Sequence, residues 1–436
     1  MKKLIFGLTL LFAGMSATQA QEEIKYVEYD LPNGLHVILH EDHSTPIVAV
    51  SVMYHVGSKN EDPSRTGFAH FFEHLMFEGS ENIPRGEYSN YVEKAGGALN
   101  ANTSQDRTFY YDLLPSNQLE LGLWLESERM MHAKVDSTGI ATQREVVKEE
   151  KRQRVDNQPY GSFQQEIMSH AFTVHPYRWT PIGSMADLDA AQEADYVNFY
   201  KTYYIPNNAC LSIAGDLDIK KTKKLIKAYF GSIPEGKDVV RPSIVEPVKT
   251  AQVRDTIYDN IQLPAVMMAY HSPALGTDDA YAMDMVSKIL SQGSSSRLNK
   301  RIVEEDQQAV FVGAFPFPLE DPGIFIAFSV INADVKPDVV ETSIMEEVTK
   351  LQTELITEKE FEKLQNQVEN DVVSGYSSQA GIAENLAQYY MYYGDTELIN
   401  TEIKKYQAVT REDIMNAAKK YLTVNNSVVL YYLPKE

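Results

Sequence analysis

Short runs in which apolar and polar residues alternate are separated along this chain by longer segments with helical periodicity. A period of two is typical of strands with one buried face, and a period near 3.6 is typical of amphipathic helices. Strands are predicted at residues 37–39, 47–54, 108–114 and 209–214. Because helical segments lie between the strands, the pattern predicts an α+β fold of sheet and helices.

One piece of this pattern occurs twice. The segment from Asp195 to Asn208, a helix, a turn and the approach to an apolar strand, matches the segment from Asp413 to Asn426 at six positions with a constant offset of 218 residues. Six identities at one offset favour a duplication over a chance match of common helix and turn residues. We therefore predict two homologous halves, residues 21–235 and 251–436, joined by a linker at 236–250 that contains proline and glycine.

The first twenty residues have the features of a cleavable signal peptide. Lys2 and Lys3 form a basic start, an apolar stretch follows, and small residues lead up to Ala20. The apolar stretch is too short to span a bilayer. We therefore expect an exported, periplasmic protein that begins at residue 21 and has no transmembrane segment.

Charge and cysteine content exclude several classes of protein. There are 61 acidic and 40 basic residues, so the formal net charge is −21, and it becomes −23 once Lys2 and Lys3 leave with the leader. Nucleic-acid binding needs a concentration of basic side chains that this chain lacks. Cys210 is the only cysteine, so no internal disulfide can form.

The segment from Thr66 to Gly79 concentrates the chemistry of the chain. At 100° per residue, Phe68, Phe71, Phe72 and Leu75 share one face of a helix, while His70 and His74 share the opposite face with Glu73 beside them. Histidines at i and i+4 can bind one zinc ion, and the intervening glutamate can act on a metal-bound water. The alternative is a helix with two solvated histidines and a glutamate.

Two histidines leave a catalytic zinc site one ligand short. A helix predicted from about Ser137 to Asn157 offers Glu145, Glu149 and Glu150, of which Glu150 alone falls in the apolar stripe with Val146 and Val147. A carboxylate there is costly unless it is paired or bound to metal, so Glu150 is the best third ligand. The alternative is a buried salt bridge to Arg144 or Arg154. Gln143, two turns earlier on the same face, could orient the ligands.

The spacing of His70, Glu73, His74 and Glu150 resembles the inverted zinc-binding motif of the pitrilysin/insulinase metallopeptidases, which include the mitochondrial processing peptidases. The resemblance extends over nearly the whole mature chain. It implies one Zn²⁺ per chain, bound by the two histidines and Glu150, with Glu73 as the general base. It also implies that the two domains form one half-shell of a clam-like peptidase.

The same resemblance assigns a role to the stretch from Gly96 to Thr103. In that family an extended peptide substrate adds to an edge strand here through backbone hydrogen bonds. Gly97, Asn100 and Ala101 are the substrate-binding residues that the resemblance implies. From the sequence alone, the stretch is a Gly-Gly turn that leads into a strand.

The sequence departs from the family pattern in the second half. Complete members place an Arg and, seven residues later, a Tyr on the substrate carbonyl, but the expected positions hold Val303 and Val310. A shift in register would make Arg301 a substitute. We therefore expect the zinc-bearing subunit of a two-component peptidase whose homologous partner supplies the Arg and Tyr. A self-sufficient homodimer is the first alternative, and a non-catalytic structural or peptide-binding subunit of a periplasmic complex is the second.

Overall fold

The computed structural model describes residues 23–435. The expected signal peptide lies outside these residues. No helix within them combines the length and apolar character that crossing a membrane requires. The strands are β1 (Val27–Asp30), β2 (His36–Glu41), β3 (Ile47–Tyr54), β4 (Ala98–Thr103), β5 (Thr108–Pro115), β6 (Ala209–Gly215), β7 (Val253–Asp259), β8 (Ala265–His271), β9 (Ala309–Phe317), β10 (Ile324–Ile331) and β11 (Ser427–Pro434).

Helices fill most of the chain between these strands. They are α1 (Phe68–Leu75), α2 (Tyr88–Lys94), α3 (Leu119–His132), α4 (Ser137–Lys151), α5 (Phe163–Ala171), α6 (Met185–Ala190), α7 (Glu193–Tyr203), α8 (Ile219–Phe230), α9 (Asp278–Ser291), α10 (Pro337–Thr353), α11 (Glu358–Gly375), α12 (Gln379–Tyr393), α13 (Leu398–Ala408) and α14 (Arg411–Tyr421). A π-helical turn, Arg152–Asp156, directly follows α4.

The described residues form two sheets with one topology. The first has the strand order β1-β2-β6-β3-β5-β4, and the second has the order β7-β11-β8-β10-β9. In each sheet the strand that comes last in the chain pairs in parallel with an early strand: β6 lies between β2 and β3 and runs parallel to β2, and β11 lies between β7 and β8 and runs parallel to β7. With β1 as an addition to the first sheet, the other five strands correspond one to one. The predicted α+β class and the duplication are confirmed.

The two halves cover each other's sheets. Helix α5, from the first half, packs Ile167 and Met168 against the second sheet. Helix α12, from the second half, packs Ala383 and Leu386 against the first sheet. Residues 163–171 of α5 correspond to 381–389 in α12 at the 218-residue offset, so the exchange is reciprocal. One apolar face of each sheet is therefore covered by a helix from the other half.

No helix or strand occupies residues 235–252, where the chain passes from one half to the other. Side-chain hydrogen bonds fix this segment at several points, two of which involve Arg241 and Glu246. Arg241 donates to the backbone oxygen of His55, and the Glu246 carboxylate accepts hydrogen bonds from the backbone nitrogens of residues 173–175. The domain limits that we assign from the sequence remain a prediction.

Candidate metal centre

Helix α1 carries the His pair because its other face is buried. Phe68, Phe71 and Phe72 pack against the aromatic face of α7, with Phe68 stacked on Tyr196 at a ring separation of 4.6 Å. His70, Glu73 and His74 lie on the opposite, half-buried face. The division of faces predicted from the sequence is the one observed.

The start of α1 is held by a residue that sequence reasoning missed. The buried Glu61 carboxylate accepts hydrogen bonds from the backbone nitrogens of Gly67 (2.9 Å) and Ala69 (2.8 Å). Burial raises the pKa of Glu61 to about 8. Gly67 has a φ of 93°, and a Cβ there would approach the Ile182 carbonyl oxygen to 3.0 Å. In the sequence, Glu61 is marked only by its position six residues before Gly67, and that spacing is too common to indicate a structural role.

The three predicted ligands converge on one point. Glu150 Oε2 lies 3.0 Å from His74 Nε2 and 3.5 Å from His70 Nε2. One ligand atom from each residue lies within 4.8 Å of the others. Zinc binds imidazole nitrogen and carboxylate oxygen at about 2.0–2.2 Å, so one ion can bridge atoms at these separations. Glu150 Oε2 is buried, and apart from its contacts with the two imidazoles it has no hydrogen-bond partner among the described residues.

The choice of Glu150 over its neighbours agrees with burial. Its side chain is 13% exposed, against 53% for Glu149 and 68% for Glu145. The apolar stripe predicted on α4 is wrong at one position, because Val146 is exposed. The buried apolar residues on this helix near Glu150 are Ile140 and Val147. Helix α4 is also shorter than predicted, since it becomes the π-helical turn after Lys151.

The charges around the site suit a cation. Burial, and the neighbouring His74, lower the pKa of His70 to about 4, so His70 is neutral near pH 7. A hydrogen bond with His74 lowers the pKa of Glu150, which keeps that carboxylate ionised. Burial raises the pKa of Glu73. The residues present therefore offer the imidazole and carboxylate ligands that a zinc site requires.

Strand β4 is the edge of the first sheet and borders the site. Thr103 Oγ1 donates a 2.6 Å hydrogen bond to Glu73 Oε2, a contact that sequence reasoning missed. Ala101, two residues earlier on the same face, lines the cavity beside His70 and Glu73. Asn100 is exposed, and its Oδ1 accepts a hydrogen bond from the Ala101 backbone nitrogen.

Gly97, the third predicted substrate-binding residue, lies just before β4. A Cβ there would approach Leu114 Cδ2 to 2.6 Å and the Leu113 oxygen to 2.7 Å. Close packing on β5 therefore accounts for the glycine without any substrate. The role of this strand in substrate binding remains a prediction.

A cavity of about 560 Å³ lies beside the candidate ligands, and residues from both halves of the chain line it. Its walls come from the end of β4, the π-helical turn, the start of α5 and residues 180–182, and the second half contributes Phe317. An extended peptide segment could enter such a cleft.

Two family models match the chain. One described as insulinase (peptidase family M16) matches residues 36–182, and one described as peptidase M16 inactive domain matches residues 192–368. The chain belongs to the insulinase peptidase family. The resemblance inferred from the zinc motif is confirmed.

Relatives within the insulinase family include proteins named as zinc proteases. The zinc protease PqqE of Helicobacter pylori is 30% identical over 99% of both chains. A probable mitochondrial-processing peptidase subunit beta of Arabidopsis thaliana is 24% identical and covers 90% of this chain and 75% of its own. A crystal structure of a protease from Helicobacter pylori has a TM-score of 0.90 at 29% identity, covering 94% of this chain and all of the other.

The fold also matches part of a longer insulinase-family structure. The periplasmic protease PqqL of Escherichia coli has a TM-score of 0.77 at 20% identity, with 94% of this chain aligned to 47% of PqqL. This chain thus has the architecture of one half of that protein, as the half-shell prediction requires.

Gln143, which the sequence offers as a residue that could orient the ligands, forms its side-chain hydrogen bond with a different residue. Gln143 Nε2 donates to Glu78 Oε1 at 2.6 Å, so it links α4 to the loop after α1. The alternative contact expected for Glu150, an ion pair with an arginine, is also present, since Arg154 Nη1 lies 2.6 Å from Glu150 Oε1.

The second half contributes no donor at the two expected family positions. Val303 packs against the core of the second half, and Val310 is exposed on β9. Arg301 is held by Glu346 and, at 3.2 Å, by Glu347 of α10, so its guanidinium already has carboxylate partners.

Proposed function

We propose that this chain is a zinc-dependent endopeptidase that hydrolyses peptides or small unfolded proteins in an enclosed chamber. The convergence of His70, His74 and Glu150 beside the carboxylate of Glu73 is the observation that supports this proposal. The relatives named as zinc proteases agree with it.

In the proposed mechanism, the chain's own groups orient the substrate and move the proton. Zinc, when bound, would polarise the scissile carbonyl and lower the pKa of a water. Glu73 would accept the proton of that water and later deliver it to the leaving amine. Burial raises its pKa, which favours acceptance of a proton, and the Thr103 hydroxyl donates a hydrogen bond to its carboxylate. The unpaired edge of β4 would bind the peptide backbone, with Asn100, Ala101 and Gly97 nearby.

We further propose that the chain is the catalytic subunit of a two-component heterodimer. Val303 and Val310 cannot donate a hydrogen bond, which leaves the Arg and Tyr to a homologous partner. The match to one half of PqqL supports a requirement for a second half-shell. The predicted leader and the periplasmic location of PqqL support a periplasmic heterodimer. A homodimeric peptidase would instead show full activity when purified alone.

The proposal is tested by zinc content and peptide cleavage, measured for the mature chain alone and with a candidate partner. Glu73→Gln is expected to retain zinc and to abolish turnover. Glu150→Gln is expected to lose zinc, whereas the exposed neighbour Glu149→Gln serves as the control and retains it. Turnover by Glu73→Gln at the unmodified rate would refute the assigned role of Glu73.

A non-catalytic structural or peptide-binding subunit is the second candidate function. The ion pair between Glu150 and Arg154 favours it, because that pair satisfies one carboxylate oxygen without a metal. This candidate predicts a purified protein without zinc, in which Glu73→Gln has no effect on function.

A further inference from the structure

Arg154 lies at the metal centre without being one of the predicted ligands. It belongs to the π-helical turn after α4 and lines the same cavity as His70, Glu73 and Glu150. Its Nη1 contacts Glu150 Oε1 at 2.6 Å, but 76% of the side chain is exposed. The guanidinium is therefore anchored to a predicted ligand, while most of the side chain is exposed and part of it lines the cleft.

The two oxygens of Glu150 point to different partners. Oε2 is the atom near the His pair, and Oε1 is the atom next to Arg154. The carboxylate can thus contribute Oε2 to a metal ion and keep Arg154 in place through Oε1, with no rotation. A guanidinium has five N–H donors, so the contact with Glu150 leaves several of them for another acceptor.

The cavity is poor in cationic hydrogen-bond donors. Among the described residues that line it, Arg154 is the only one with a guanidinium or ammonium group. The positions from which family members would supply an Arg and a Tyr hold Val303 and Val310, and Arg301 is held by carboxylates of α10. A peptide in the cavity would therefore meet the charge of Arg154 before any other cationic side chain of this chain.

We propose that Arg154 is a substrate-binding residue, whose guanidinium donates hydrogen bonds to a backbone carbonyl oxygen of an extended peptide. The end of β4 and the π-helical turn that carries Arg154 line the same cavity. A peptide on β4 would then lie within reach of the guanidinium. The inference rests on the proposed function, because it assumes that the cavity binds peptides.

The competing explanation is that Arg154 only neutralises Glu150. Arg152 provides a matched control, because it lies in the same π-helical turn, is 54% exposed, and pairs with Glu149 at 2.9 Å in the same way. Arg152 does not line the cavity. Arg154→Ala and Arg152→Ala each remove one guanidinium and one ion pair, but only the first changes the cleft.

The test measures peptide binding directly in zinc-loaded protein that carries Glu73→Gln, so that the peptide stays intact. The probe is fluorescein-labelled oxidised insulin B chain, and the readout is fluorescence anisotropy. Arg154→Ala is expected to weaken binding about 10- to 100-fold, the loss of a hydrogen bond to a charged group. Arg152→Ala is expected to change it by no more than about twofold, as for an ordinary surface substitution. Arg154→Lys, which keeps the charge but loses the planar fork, is expected to fall between.

Zinc content is measured for every variant. If Arg154→Ala loses zinc, the comparison with Arg152→Ala is repeated in the metal-free proteins, and equal binding there overturns the inference. Equal binding in the zinc-loaded proteins also overturns it, as does a parent protein that binds no peptide. Peptide binding that depends on Arg154 in a chain that never cleaves peptides, alone or with a partner, would contradict the proposed function and leave this inference standing.

Discussion

Replacement of Lys59 by methionine removes the positive charge at the junction of the two halves. The Lys59 ammonium lies 2.9 Å from Asp106 of the first half, and 2.6 Å from Glu320 and 3.2 Å from Asp321 of the second. Lys59 is 5% exposed and Asp106 is 2% exposed, so both charges are shielded from water. The carboxylates raise the pKa of Lys59 despite its burial.

The expected loss of stability comes mainly from Asp106. Breaking a buried ion pair from one side typically costs about 3–5 kcal/mol, because the remaining charge is left unpaired. Glu320 and Asp321 are more exposed and can recover solvent. Asp106 also keeps hydrogen bonds from the Tyr177 hydroxyl (2.6 Å) and the Glu320 backbone nitrogen (3.0 Å). We therefore expect Lys59→Met to lower the free energy of unfolding by about 3 kcal/mol, the lower end of that range.

The assay is urea unfolding of the mature chain, followed by circular dichroism. Lys94→Met is the control, because Lys94 is 75% exposed and its ammonium lies 3.6 Å from Glu87, a loose surface ion pair. This substitution should lower the free energy of unfolding by no more than about 0.5 kcal/mol. Adding Asp106→Asn to Lys59→Met removes the stranded charge and should restore part of the loss. Equal destabilisation by Lys59→Met and Lys94→Met would refute this account of the junction.

Three further predictions concern the same parts of the molecule. Thr103→Val removes the hydroxyl that donates to Glu73, and we expect about a tenfold lower kcat with unchanged zinc content, measured by peptide cleavage and metal analysis. Although burial opposes it, contacts with His55 and Lys59 lower the pKa of Glu320 to about 2, so its contribution is present above pH 4.5 and is lost as pH falls towards 2. Acid unfolding should therefore begin at higher pH in Glu320→Gln than in Glu397→Gln, an exposed control. Gly67→Ala, at a φ of 93°, should lower the thermal midpoint more than Gly86→Ala, where φ is 75° but no atom lies within 4 Å.

Local periodicity predicted the parts of the site that one helix presents. The opposition of the phenylalanine and histidine faces of α1, and the choice of Glu150 from three glutamates, needed only the geometry of a helix. Thr103 and Glu61 could not be found in this way, because their partners lie 30 and 6 residues distant along the chain and meet them only after the sheet and the loop have formed. The stripe on α4 was misjudged at Val146 for the same reason, since periodicity does not show which neighbour covers a face.

The duplication explains why a half without the metal ligands is still needed at the metal centre. The three candidate ligands all lie in the first half, and helix α9 of the second half contains no histidine. The second half nevertheless supplies Phe317 to the cavity and Glu320 to the buried Lys59. Helix α12 also covers an apolar face of the first sheet, which residues 21–235 alone would leave in water. Because α5 covers the second sheet in return, neither half buries both faces of its sheet without the other. The metal-bearing half therefore depends on its paired half for its shape, and the chemistry of the site cannot be separated from the architecture of the whole chain.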